Sequence, residues 1–168
     1  MKVNSLLFLT LVTLAPQCFA QPSLRGNPLT YLGLGPIHLG MSQSQLEKLE
    51  FKLSENPSGY DECVEVTLVS NDKIVVMLEN NKVTRVSSYD SSLKTQAGVR
   101  VGVTETQVKK AYGAHLKVNP HKYDENGHYL VVKSHTGKYA IVFETDGLKV
   151  TAIHAGLEAS AQYVEGCL

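Results

Sequence analysis

Hydrophobic and polar residues alternate with a period of two in two separate stretches of this chain. The alternation covers residues 63–69, 73–79 and 82–88 in the first stretch, and residues 128–133, 139–144 and 149–154 in the second. Turn-forming residues such as Asn, Asp and Gly separate the segments. Because side chains on a strand point alternately to its two faces, the pattern predicts two groups of three strands.

Each group of predicted strands is preceded by the signature of a short helix. Ser42 with Gln45 forms the first such signature, and Thr104 with Gln107 forms the second. Both pairs have the spacing of a capping box, in which the hydroxyl accepts from a helix amide and the glutamine reaches back to the cap. At the end of the chain, residues 161–165 are predicted to add an edge strand.

The two halves of the chain also repeat each other in sequence. Residues 37–46 return as residues 99–108, and residues 82–86 return as residues 149–153. One helix on three strands covers its sheet poorly, whereas two such units can share a larger sheet. We therefore predict an α+β fold of two tandem helix–three-strand repeats, with a shared antiparallel sheet and helices on one face.

The first twenty residues are predicted to be an export signal, with a positive charge at Lys2, an apolar run over residues 6–14 and a small-x-small cleavage site at residues 18–20. The apolar run is too short to span a bilayer. A lipid on Cys18 is the alternative interpretation of this region. The signal predicts a periplasmic or secreted protein.

The predicted domain boundaries follow from the signal and the repeats. Residues 21–30 contain two prolines and a glycine and are predicted to be a flexible leader. Residues 31–93 form the first repeat and residues 94–168 the second. Together they make one globular domain, since about 148 residues remain after the signal.

The balance of charges argues against some classes of partner. The chain carries 16 basic and 16 acidic side chains, with no block of lysine and arginine. Such a balance argues against nucleic acid and anionic membranes as the main partners.

Two cysteines, Cys63 and Cys167, remain once the predicted signal is removed. In an exported protein an even pair predicts a disulfide, which here would tie the C-terminus back to the first repeat. Two free buried thiols are the alternative.

Two histidines are candidate metal ligands. His121 and His128 flank a loop that also contains Asp124 and Glu125. These residue types ligate zinc and similar ions, although the spacing matches no closed zinc signature. The alternative is a polar loop that hydrogen-bonds to neighbouring strands. No cofactor is predicted.

The sequence contains no Gly-x-Ser-x-Gly motif, and the serines at positions 87, 88, 91 and 92 flank Tyr89-Asp90 in a segment that is interpreted as a linker between the repeats. Residues 33–40 are glycine-rich, but their spacing indicates turns and not a dinucleotide loop. A Ser-His-Asp triad stays open, because triads are defined in space. We predict that the protein is not an enzyme.

Four tyrosines in or beside loops are candidates for protein recognition: Tyr60, Tyr89, Tyr123 and Tyr129. Tyrosine offers a rigid contact area with one polar tip, which suits a protein interface. The alternative is that each ring covers the edge of the core.

The two helix entries, Gly40-Met41-Ser42 and Gly102-Val103-Thr104 with their following glutamines, resemble those of small exported α+β modules. These modules include the tandem-repeat β-lactamase inhibitor protein and the small lipoprotein of the outer-membrane assembly machinery. The segments 120–124, 127–130, 143–147 and 164–167 resemble a family of exported bacterial proteins with no settled activity. The resemblance implies export and fold, and it brings no catalytic residues.

These observations together predict an exported, non-catalytic protein-binding module. Its partner would be another exported protein, such as an envelope-targeting hydrolase that it inhibits or a toxin against which it gives immunity. A metal- or small-ligand-binding protein that uses the His121 and His128 loop is one alternative. An envelope-assembly accessory protein is the other. The oligomeric state is left open.

Overall fold

The computed structural model describes residues 24–49, 58–60 and 62–167; the predicted export signal lies outside them. In chain order, the strands and helices are β1 (Leu29–Thr30), β2 (Gly33–Leu34), β3 (Ile37–His38), α1 (Gln43–Glu47), β4 (Ser58–Tyr60), β5 (Cys63–Leu68), β6 (Asn71–Glu79), β7 (Lys82–Ser88), α2 (Glu105–Tyr112), β8 (Leu116–Pro120), β9 (His128–Lys133), β10 (Tyr139–Thr145), β11 (Val150–Leu157) and α3 (Glu158–Ala161). No helix in these described ranges is long and apolar enough to cross a membrane.

Eight strands form one antiparallel sheet in the order β4-β5-β6-β7-β11-β10-β9-β8. The six strands predicted from the alternation are all present, with bounds that differ by a few residues. The edge strands β4 and β8 were not predicted. Strands β7 and β11 join the two halves, since Ser87 pairs with His154 and Val86 with Ala155.

One face of the large sheet carries the main hydrophobic core. Leu46 of α1 and Val108 of α2 are fully buried there, beside Phe143 and other apolar strand residues. Both predicted capping boxes are confirmed, with Ser42 and Thr104 as the N-caps. The three short strands β1–β3 form a second, small sheet.

The end of the predicted leader takes part in this core. Leu24 and Leu29 are buried, and the backbone amide of Leu29 donates to the carbonyl of Lys94. Residues 24–30 are therefore held by the domain, although their composition indicates a loose segment.

The opposite face of the large sheet is crossed by residues 158–167, which we call the C-terminal strap. The strap begins with α3, whose Ala161 packs against Val131, Ala140 and Val142. It ends at the predicted disulfide, which is present between Cys63 and Cys167. We call this side of the sheet the disulfide face.

The predicted edge strand over residues 161–165 is wrong. Residues 158–161 are helical instead, and Arg85 on the sheet donates to the backbone carbonyls of Ser160 and Tyr163. In an edge strand, carbonyls of this segment would accept hydrogen bonds from a neighbouring strand. Here they accept long-range hydrogen bonds from Arg85 instead. Tertiary contacts therefore override the local pattern here.

The coarse prediction of an α+β fold with a large antiparallel sheet and one disulfide is confirmed. Helices α1 and α2 lie on the core face, and α3 lies on the disulfide face. The disulfide face is the side of the molecule on which polar and aromatic side chains collect.

Candidate functional site

All four candidate tyrosines project from the disulfide face or its rim. Tyr60 is paired directly with Cys63, and residues opposed in an antiparallel pair share a face. Tyr89 contacts the His154 ring edge-on, at a centroid distance of 6.2 Å. Tyr123 donates through its hydroxyl to Glu165 of the strap. The sheet brings together side chains that are far apart in sequence.

The four rings differ in exposure. Tyr60 is 76% exposed, Tyr123 is 64% exposed and Tyr89 is 46% exposed. Tyr129 is partly buried, and its ring stacks on the His121 imidazole at a centroid distance of 4.5 Å. Tyr163 of the strap, which the sequence analysis did not single out, adds a fifth ring that is 42% exposed.

A chain of hydrogen bonds runs across the disulfide face beneath these rings. Ser87 Oγ lies 2.8 Å from His154 Nδ1, and His154 Nε2 lies 3.3 Å from Glu144 Oε2. The second carboxylate oxygen of Glu144 lies 3.0 Å from His121 Nε2. One carboxylate therefore bridges two imidazoles, and we call these four residues the histidine relay.

The hydrogen-bond pattern assigns the protons of His121. Its Nδ1 accepts from the backbone amides of Tyr123 and Asp124, at 3.1 Å and 3.0 Å. A nitrogen that accepts two N–H donors carries no proton, so the proton is on Nε2 and is donated to Glu144. His121 is thus neutral in this arrangement.

His154 is also held neutral, and Glu144 is held ionised. Burial lowers the pKa of His154 below its ordinary value. The hydrogen bonds from His154, and then from His121, lower the pKa of Glu144 to about 2, although partial burial opposes the shift. With both rings neutral, the histidine relay carries the one negative charge of Glu144.

A cavity of about 60 Å³ lies beside the relay, between the sheet and the strap. Glu144 and His154 line it from the sheet, and Tyr129 and Tyr163 also line it. Other lining groups are polar or small: Asn119, Val131, Val142, Ala161, Gln162 and Val164. The cavity combines a carboxylate with aromatic walls.

The order of hydrogen bonds from Ser87 through His154 to Glu144 is that of a Ser–His–acid triad. A nucleophile must reach its substrate, however, and Ser87 is only 1% exposed. Ser87 also does not line the cavity. The arrangement can orient His154 and Glu144, but it does not present a nucleophile.

The structure does not bring His121 and His128 together. His128 Nδ1 lies 2.7 Å from Glu105 of α2, on the core face, whereas His121 stacks on Tyr129 on the disulfide face. Neighbouring residues of a strand such as His128 and Tyr129 point to opposite faces. Across the described ranges, no group of three or more His, Cys, Asp or Glu side chains is arranged to hold a metal ion.

Four members of the site are not among the residues singled out from the sequence: Glu144, His154, Arg85 and Tyr163. Glu144 and His154 lie within predicted strands and have no other distinguishing pattern. The available signal was the presence of polar residues inside predicted strands. His154 and Arg85 both occur there, at positions where a buried strand face requires apolar residues. Their partners depend on strand order, which sequence pattern alone does not provide.

The stability of the protein is expected to fall as the pH decreases below about 7.5 because of His154. Its lowered pKa means that the unfolded chain binds a proton at a pH where the folded chain does not. The free energy of unfolding therefore decreases as the pH falls through about 6.5, by at most about 1.4 kcal/mol per pH unit. Urea unfolding at a series of pH values measures this slope.

The matched variants for this prediction are His154→Gln and His115→Gln. The first removes the buried titrating group and should flatten the slope, whereas His115 is exposed and its replacement should leave the slope unchanged. A His154→Gln protein that keeps the full pH dependence would assign the effect to other groups.

Comparisons with known proteins give a distant structural similarity. No protein-family model and no curated protein matches the chain significantly. Among solved structures, the chain is similar to the uncharacterized protein yfeY from Escherichia coli, with a TM-score of 0.45 and 11% sequence identity over 81% of this chain and 94% of that chain. A similarity this distant carries no inference about function.

Proposed function

We propose that this protein is an exported, non-catalytic protein-binding module that recognises its partner with the disulfide face. The observation that carries the proposal is that Tyr60, Tyr89, Tyr123 and Tyr129 all lie on this one face, around the strap and the cavity. Tyrosine is enriched at the energetic centres of protein interfaces.

The anchoring of the rings supports recognition by a rigid surface. Tyr123 is tied to Glu165, and Tyr163 to Glu79, by hydrogen bonds of their hydroxyls. The disulfide fixes the end of the strap beside them. Side chains that are already ordered lose less conformational entropy when a partner binds.

The finer architecture that we propose is a tandem repeat of two helix–sheet units. Equivalent hydrogen bonds join each helix entry to its unit: Gly40 N to Val83 O and Gly102 N to Val150 O are both 2.8 Å. The amides of Val83 and Val150 donate back to Met41 and Val103. Two such units side by side produce a broad sheet with one face free of α1 and α2, which suits docking.

Two specific functions fit an exported domain with one disulfide. The protein would inhibit a hydrolase that attacks the cell envelope, or it would give immunity to a toxin delivered by a rival. The resemblance to exported inhibitor modules in the helix-entry segments agrees with both. The place of action would be the periplasm or the exterior of the cell.

The test is to capture the partner and then to measure its affinity for surface variants. The oxidised protein without its predicted signal is immobilised, and periplasmic and secreted extracts are passed over it. The double variant Tyr60→Ser/Tyr123→Ser is expected to bind the captured partner about 30- to 800-fold more weakly, because each tyrosine that becomes buried in the interface contributes about 1–2 kcal/mol.

The control is the double variant Leu32→Ser/Leu148→Ser. These leucines are 51% and 74% exposed, so their removal changes surface hydrophobicity to a similar degree away from the tyrosines. The control should bind with the affinity of the unmodified protein. Equal binding by the tyrosine variant, or no captured protein at all, would contradict the proposal.

A further inference from the structure

The cavity between the strap and the sheet has the dimensions of a site for one small group. Its volume of about 60 Å³ gives room for about four water-sized groups. An ammonium group with its last methylenes fits this space. The cavity is partly open, so a longer chain can enter it from outside.

The charge of the cavity favours a cation. Glu144 contributes a carboxylate whose side chain is 31% exposed, and its hydrogen-bond donors are the neutral rings of His121 and His154. Within the described part of the chain, no lysine or arginine forms an ion pair with Glu144. A carboxylate whose donors are neutral imidazoles, with no lysine or arginine paired to it, attracts a cation from a ligand.

Neighbouring groups strengthen this preference. Tyr129 and Tyr163 line the cavity, and the faces of aromatic rings attract cations. Tyr163 also donates to Glu79, which is a second carboxylate close to the site. The nearby basic side chains already have acidic partners, since Arg85 pairs with Glu65 and Lys122 pairs with Glu165.

We infer that the cavity is a binding site for an alkylammonium group, and that the group is a lysine side chain of the protein partner. Charge complementarity selects this occupant: a lysine offers a compact cation for Glu144 and methylenes for the rings of Tyr129 and Tyr163. An arginine is disfavoured by size, because its planar guanidinium is wider than an ammonium. The assignment of the group to a lysine of the partner rests on the proposed function, whereas the binding of an alkylammonium group in the cavity does not.

The first experiment tests the cavity without any partner. The unmodified protein is titrated with n-butylammonium chloride, which mimics a lysine side chain, and separately with neutral N-butylacetamide. Saturable amide chemical-shift changes are expected at Asn119, Gln162 and Tyr163 for the ammonium only. Glu144→Gln should weaken the binding about tenfold or more, whereas Glu47→Gln on α1 should leave it unchanged.

Two variants of Tyr163 separate ring chemistry from folding. Tyr163 lies in the strap and is 42% exposed, so its replacement does not open the core. Tyr163→Phe keeps the ring and should keep the affinity for n-butylammonium. Tyr163→Leu keeps apolar volume without the ring and should weaken binding about threefold. Equal binding of the two probes, or full binding by folded Glu144→Gln, would overturn the inference.

The second experiment tests the source of the ammonium group. Once a partner is captured, its lysines are acetylated, and its affinity for the unmodified protein and for Glu144→Gln is compared. Acetylation should weaken binding to the unmodified protein and have little further effect on Glu144→Gln. Equal loss for both would show that no partner lysine reaches Glu144, and the assignment of the occupant would then be wrong. A protein that binds n-butylammonium but no protein partner would instead contradict the proposed function.

Discussion

Removing the Cys63–Cys167 disulfide is expected to lower the free energy of unfolding by about 4–5 kcal/mol. The two cysteines are 104 residues apart, and a cross-link over about 100 residues restricts the unfolded chain by about 4.7 kcal/mol in the chain-entropy model. This is a large part of the total stability of an ordinary domain. Urea unfolding of a Cys63→Ser/Cys167→Ser double variant measures the loss.

Reduction of the unmodified protein by a dithiol is the matched control for this variant. It should lower stability to the same extent, because it removes the same cross-link without changing the side chains. The strap should also lose protection from hydrogen exchange near residue 167 before α3 does, since α3 is held separately by Arg85. A double variant within 1 kcal/mol of the oxidised protein would contradict the prediction.

The strands and helix starts were predictable because their causes are local. Alternation places residues such as Val66 and Leu68 on the buried face of β5, and the capping hydroxyls of Ser42 and Thr104 act within four residues. The edge strands were missed for the opposite reason. In β8, for example, Val118 is exposed and Pro120 ends the strand, so its pairing with β9 is what defines it.

The candidate site was less predictable because it is assembled from distant strands. Ser87 and His154 are 67 residues apart, and they meet only because β7 pairs with β11 in one register. The tyrosines are candidates for protein recognition by residue type alone. That they share one face of the sheet depends on the strand order and on the path of the strap. His121 was recognised as well, yet its partner is Glu144 and not a residue of its own loop.

Arg85 ties the strap to the sheet through a buried side chain. It is 3% exposed and reaches three acceptors: the carboxylate of Glu65 and the backbone carbonyls of Ser160 and Tyr163. Both carbonyls belong to the strap, so one buried cation joins the sheet to α3 and to the turn that follows it. The cavity wall formed by Tyr163 is therefore fixed through Arg85.

Replacing Arg85 by Met is expected to lower the free energy of unfolding by at least about 3–5 kcal/mol. The change leaves Glu65, whose side chain is 17% exposed, without its positive partner, and breaking one side of a buried ion pair has a cost of this size. It also leaves two strap carbonyls without their donor. Urea unfolding measures the loss, and faster hydrogen exchange over residues 158–167 would locate it in the strap.

The double variant Arg85→Met/Glu65→Leu separates the two causes. It removes the unpaired charge of Glu65 but still leaves the carbonyls of Ser160 and Tyr163 without a donor. We expect it to be about 2 kcal/mol or more stable than Arg85→Met, because an apolar pair can replace a buried ion pair at little cost. The backbone amides of the strap should nevertheless exchange hydrogen faster than in the unmodified protein, because each buried carbonyl without a donor destabilises the folded state by about 1–3 kcal/mol. A double variant that is no more stable than Arg85→Met would place the whole effect in the strap carbonyls and not in the ion pair.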